Sequence, residues 1–191
     1  MNKTARLTVC VLGIVSALLP AAAQQPPSGL ETPWDVRKIL TDATAQASQL
    51  RPLLPQLNPQ PWVQKGASST YILQWQTAQK QLDDVLAVAQ RLSQKTDSLS
   101  LVLDTYFRME ALEVTARSLD EGAQRYGARA VADKLAAYVA NSFDSRQRLR
   151  EYLKDLALST EQNFRIADEE AQRCRGMISK EAPARSKKKK Y

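Results

Sequence analysis

Residues 68–94 read SSTYILQWQTAQKQLDDVLAVAQRLSQ, and the spacing of their apolar side chains decides the fold. The apolar positions step by four and three residues in turn, at Tyr71, Trp75, Ala78, Leu82, Val85, Ala89 and Leu92. This spacing draws one apolar stripe along an α-helix and is typical of helices that pack at shallow angles. Ser68, Ser69 and Thr70 are favourable N-cap residues, so we expect a long helix to begin here.

A shorter helix is predicted on the amino-terminal side, from Pro33 to about Leu50. Thr32 suits the N-cap and Pro33 the first turn, while Pro52 and Pro55 bend or end the helix because proline lacks an amide donor. The side chains that we expect this helix to bury are Ile39, Leu40, Ala43, Ala47 and Leu50. The segment Asn58-Pro59-Gln60-Pro61 is predicted to be a stiff connector that leads into Trp62.

Two further helices follow on the carboxyl-terminal side. One is expected from Leu99 to Gly127, with an apolar side made of Leu99, Val102, Tyr106, Met109, Leu112, Ala116, Leu119, Ala123 and Tyr126. The next begins near Ala128, with an apolar side made of Val131, Leu135, Tyr138, Val139, Phe143, Leu149, Leu153 and Leu156. Ser159 and Gln162 match a capping box, which allows a kink or a fifth helix there. A continuous helix past this point is also possible, because neither Gly nor Pro lies near Ser159.

These elements predict an all-α protein, an elongated up-and-down bundle of four to five helices over residues 32–179. No stretch alternates with a period of two for long enough to indicate a strand. The heptad seams also allow the chain to form a homo-oligomer.

The amino terminus has the pattern of a secretory signal. Lys3 and Arg6 precede an apolar run, and Ala21-Ala22-Ala23 follows it. The run is too short to span a bilayer, which takes about 20 apolar residues. We therefore expect residues 1–23 to be cleaved, residues 24–31 to form a flexible leader, and the mature protein to be periplasmic or secreted without a transmembrane segment.

Charge is concentrated at the carboxyl terminus. The chain carries a formal net charge of +7, but residues 24–179 balance 19 basic against 19 acidic residues. This balance argues against specific nucleic-acid binding, which needs a basic folded surface. Residues 180–191 are predicted to be a disordered Lys-rich tail. Arg185, Lys187, Lys188, Lys189 and Lys190 are candidate contacts to an anionic envelope polymer or lipid surface.

The chain contains no histidine, and this excludes several chemistries. Ser-His-Asp and Cys-His nucleophiles, histidine zinc sites and histidine-ligated haem all need that side chain. Neither a P-loop nor a Gly-rich dinucleotide motif is present. We therefore expect no cofactor, no metal and no catalytic residues, and the leading function is binding, as an envelope scaffold, adaptor or holdase.

Three residues or pairs leave alternatives open. Glu110 and Glu113 lie three residues apart and could form the carboxylate pair of an envelope hydrolase, or a solvated helix face. Trp62 either plugs the end of the bundle or is an exposed contact to a protein partner. Cys174, the single cysteine after the signal, either pairs between molecules or lies half-buried on a helix.

Overall fold

The computed structural model describes residues 32–127 and 129–181. Within these ranges the chain is all-α, with five α-helices packed against each other and no strand. The prediction that the chain is all-α is thereby confirmed. The signal and leader (1–31) and residues 182–191 of the tail lie outside the described residues.

The first helix, α1, spans Pro33–Ser48 and begins as its sequence predicts. The Thr32 hydroxyl accepts a hydrogen bond from the Asp35 amide, and Asp35 lies near the positive end of the helix dipole. All five side chains predicted to be buried on this helix are buried. The proline-rich segment that follows is more helical than predicted. It contains a 3-10 turn at Leu54–Gln56 and a short helix, α2, at Gln60–Gln64.

Helices α3 (Thr70–Gln94) and α4 (Leu99–Tyr126) are antiparallel neighbours joined by a four-residue link. From the link outward, Arg91 pairs with Asp104, Asp84 with Arg108, and Gln74 with Ser118. In these three pairs the residue number decreases along α3 while it increases along α4, so the two helices run antiparallel. Helix α1 is also antiparallel to α3, since Arg37 contacts Ser93 while Arg51 contacts Asp83.

The last helix, α5, is one continuous helix over Arg129–Glu181, so a separate fifth helix does not begin near Ser159. Its 53 residues give a rod of about 80 Å. It includes Lys180 and Glu181, which the sequence assigned to the tail. Only its first half is packed: α5 lies against α4 and α1, which in turn lie against α3.

The core follows the predicted stripes with one clear correction. Phe143 was predicted to face the core, but it is 57% exposed. Ser142 and Ser145 are buried instead. Leu135, Tyr138, Ser142, Ser145, Leu149 and Tyr152 follow one another at steps of three and four residues. The two serines therefore lie on the buried side of α5, between apolar residues. Among the described helices, none combines the length and apolar character that a membrane crossing requires.

Candidate functional site

The structure describes some of the predicted site residues and not others. Arg185 and the four consecutive lysines 187–190 lie outside the described residues, so their contact with an anionic surface stays a prediction. The structure does describe Trp62, the Glu110–Glu113 pair and Cys174.

Trp62 is buried, with only 4% of its surface exposed. Its ring meets Tyr71 edge to face, with the ring centroids 5.7 Å apart, and Tyr71 meets Tyr126 in the same way. The alternative that Trp62 plugs one end of the bundle fits this burial, and an exposed contact to a protein partner does not. The reason is that α2, which the sequence did not predict, turns the ring inward over α4.

Gly122 in α4 and Gly127 at its carboxyl end leave space for the Trp62 ring. A methyl group on Gly122 would lie 2.7 Å from Tyr71 and 2.9 Å from Trp62. One on Gly127 would lie 2.7–2.8 Å from atoms of the Trp62 indole. Both distances are shorter than van der Waals contact, so only glycine allows the indole to approach this closely.

The structure separates the environments of the two carboxylates that could have formed a hydrolase pair. Glu110 is half-buried, whereas Glu113 is 3% exposed. One oxygen of Glu113 lies 2.8 Å from Arg117, and the other lies 3.0 Å from Arg146 on α5. The Ser142 hydroxyl also donates to Glu113 at 3.4 Å. Both carboxylate oxygens therefore have partners, which is the arrangement of a structural ion pair.

A polar layer extends from Glu113 across the bundle. Ser145 donates to the Gln46 side chain of α1 at 3.3 Å. The Tyr138 side chain is buried beside Glu113, and burial, followed by the negative charge of Glu113, raises the pKa of its phenol above the ordinary value. The sequence interpretation missed this layer, although Ser142 and Ser145 fall on the seam spacing that would have revealed it.

The second half of α5 is exposed along almost its whole length. We call residues 161–181 the overhang, because every described side chain from Glu161 to Ile178 is exposed except Ala171, which is half-buried. It extends about 32 Å beyond the packed part of α5. Large apolar side chains stand in solvent along it, including Phe164 at 74% and Ile178 at 71% exposure.

The overhang carries its own heptad seam. We call the following residues the overhang seam, since they step by four and three: Thr160, Phe164, Ala167, Ala171, Cys174 and Ile178. Cys174 is thus exposed rather than half-buried, and it lies on this apolar line. Where the overhang leaves the bundle, a groove of about 510 Å³ is lined by Leu99, Ala157, Thr160, Glu161, Phe164 and Arg165.

No group of three or more Cys, Asp or Glu side chains in the described part of the chain is placed to hold a metal ion. Comparison with known proteins adds no assignment, because no family model, no curated protein and no solved structure matches this chain.

Proposed function

We propose that this chain is an exported, non-enzymatic helical-bundle protein that acts by binding, as an envelope scaffold, adaptor or holdase. The observation that supports it best is the overhang, a long helical surface with exposed apolar side chains that no other described element covers. Monomeric proteins seldom expose a continuous apolar stripe of this kind unless it meets a partner. The antiparallel contacts of α1, α3 and α4 support an elongated up-and-down bundle as its base.

The tail adds an electrostatic contact to this proposal. Arg185 and Lys187–Lys190 follow α5 directly in the sequence, and α5 ends at Glu181, far from the packed end of the helix. The tail therefore begins at the tip of the overhang. A cluster of lysines beside an anionic lipid surface contributes about 1 kcal/mol per residue, and this attraction weakens with salt.

Vesicle co-sedimentation tests the electrostatic contact. Replacing Lys187, Lys188, Lys189 and Lys190 with Gln should lower partitioning onto anionic vesicles by about two to three orders of magnitude, from that contribution per lysine. The matched control replaces four exposed lysines of the bundle, three on helices and one in the link after α3, with Gln: Lys80, Lys134, Lys154 and Lys95. Equal loss in both variants, or no loss in the tail variant, would overturn the tail contact.

Export is tested separately. We expect mass spectrometry of the protein recovered from its native envelope fraction to find an amino terminus near Gln24. An intact terminus at Met1 in a cytoplasmic fraction would overturn the export proposal.

The contacts of Glu113 do not support the alternative of a carboxylate-based envelope hydrolase. Glu113 is held by two arginines and a serine, which is the arrangement of a structural ion pair. Hydrolysis of an envelope glycan that is lost in the Glu110→Gln variant would contradict the non-enzymatic proposal.

A further inference from the structure

We propose that the overhang is a dimerisation helix, which pairs antiparallel with the overhang of a second copy of this chain. The contact would be a short coiled coil along the overhang seam. This inference does not depend on the binding of the tail to anionic surfaces.

The seam has the composition of a helix interface. Ala167 and Ala171 are small and lie at its centre, and Phe164 and Ile178 are larger and lie toward its ends. Small central residues let two helices approach closely, while the larger residues supply most of the buried apolar area. A single helix gains nothing from this stripe in water, since helical stability in proteins comes mainly from packing an apolar face.

Charge along the overhang selects a second copy as the occupant and an antiparallel direction. Residues 161–170 contain four acidic residues and Arg165, whereas residues 171–181 contain Arg173, Arg175 and Lys180 against Glu181. The first half is therefore net negative and the second half net positive. Antiparallel copies place each acidic half against a basic half, while parallel copies place the two acidic halves together.

The position of the bundle excludes the parallel arrangement as well. The overhang seam continues the side of α5 on which Leu149 and Leu156 are buried, and that side packs against α4 and α1. A parallel second helix laid on the seam would also run alongside residues 149–156, where α1 and α4 already lie. An antiparallel partner instead meets only the overhang and the end of the bundle beside Leu99.

One antiparallel alignment of the two overhangs brings opposite charges together and avoids a collision between the second helix and the bundle. In it, Ala171 of one copy lies opposite Cys174 of the other, and the two helices overlap from about Phe164 to Glu181. Asp168 and Arg175 lie seven residues apart on the same flank of the seam. In this register Asp168 of each copy faces Arg175 of the other, which gives two symmetric pairs. Within one helix they are two turns apart, about 10 Å, so a direct pair between them forms only between copies.

Sedimentation of the purified full chain tests the seam, in reductant so that Cys174 forms no covalent link. The wild-type protein should sediment as a dimer at high micromolar concentration. Ala171→Glu, which places a charge at the centre of the seam, should yield a monomer. Gln172→Glu, the same side chain one position off the seam, should remain a dimer. A monomeric wild-type protein, or an Ala171→Glu variant that stays dimeric, would overturn the proposal.

Charge exchange tests the direction. Asp168→Arg alone and Arg175→Glu alone each create two like-charge pairs, so each should weaken dimerisation about tenfold. The double variant restores both attractive pairs and should recover wild-type affinity. A mixture of the two single variants should form heterodimers in preference to either homodimer. Failure of both the double variant and the mixture to recover affinity would overturn the antiparallel register.

Discussion

A methyl group at position 122 would collide with two aromatic rings, of which Trp62 is buried and Tyr71 half-buried. Gly122→Ala places its Cβ 2.7 Å from Tyr71 and 2.9 Å from Trp62, and the same indole also lies close to Gly127. We expect the variant to lose about 1–2 kcal/mol of unfolding free energy, since overpacking outweighs the higher helix propensity of Ala. Urea unfolding followed by tryptophan fluorescence measures this loss.

Gly176→Ala is the matched control for that experiment. A methyl group there meets no atom within 4 Å. The Tm should therefore stay the same or rise. Equal behaviour of the two variants would contradict the role given to Gly122.

The buried ion pair is tested by Glu113→Gln. The change leaves the Arg146 guanidinium without its carboxylate, although the 17% exposure of this side chain allows some hydration. We expect a loss of about 2–4 kcal/mol, somewhat below the cost of breaking a fully buried pair. Glu110→Gln, at the half-buried neighbour, should change stability by less than about 0.5 kcal/mol. Chemical denaturation of both variants gives the comparison, and equal losses would refute the structural assignment of Glu113.

Tyr138 makes the bundle sensitive to alkali. Because burial beside Glu113 raises the phenol pKa in the folded protein, the unfolded chain releases this proton first. The stability that Tyr138 contributes is complete below its unfolded pKa of about 10. It falls as pH rises above that value, by about 1.4 kcal/mol per pH unit. Tyr138→Phe should therefore lose less stability than the wild type between neutral and strongly alkaline pH. Parallel curves of stability against pH would contradict this.

At the scale of the elements, α5 combines a packed half and a solvent-exposed half in one helix. A chain that ends after Thr160 removes the overhang and keeps every α5 residue that is buried in the bundle. Its thermal midpoint should equal that of the full chain carrying Ala171→Glu, which is expected to be monomeric, because dimerisation through the overhang would raise the midpoint of the wild type. Its mean helicity by circular dichroism should fall. A clear drop of the Tm would mean that the overhang stabilises the bundle, contrary to its exposure.

Apolar spacing predicted the long helices well and the short ones poorly. The seams of α3 and α4 place their residues in the core as expected, because a period near 3.5 leaves only one face to bury. The residues of α2 lie among prolines and carry no such period, so only their contacts with α4 decide that they are helical. Phe143 shows the converse error, since an apolar side chain was assigned to the core although the seam passes through Ser142 and Ser145.

At the scale of the whole molecule, packing divides the chain into a bundle and a protruding helix. Hydrogen exchange of the Ala171→Glu variant, expected to be monomeric, should show slow amides in α3, α4 and residues 131–156. The overhang should exchange fast by local unfolding, because no described element packs against it. Equal protection along all of α5 would contradict this division.

The sequence by itself determined that this chain is helical and where its three long helices begin. It also excluded any reaction that needs a histidine side chain. Those properties depend on composition and on the period of apolar residues, which are local. The tertiary structure alone decided that Trp62 is buried, that Glu113 pairs with Arg146, and that α5 extends beyond the helices packed against it. Each of these depends on which helix faces which, and on where the neighbours end, which no single stretch of sequence specifies.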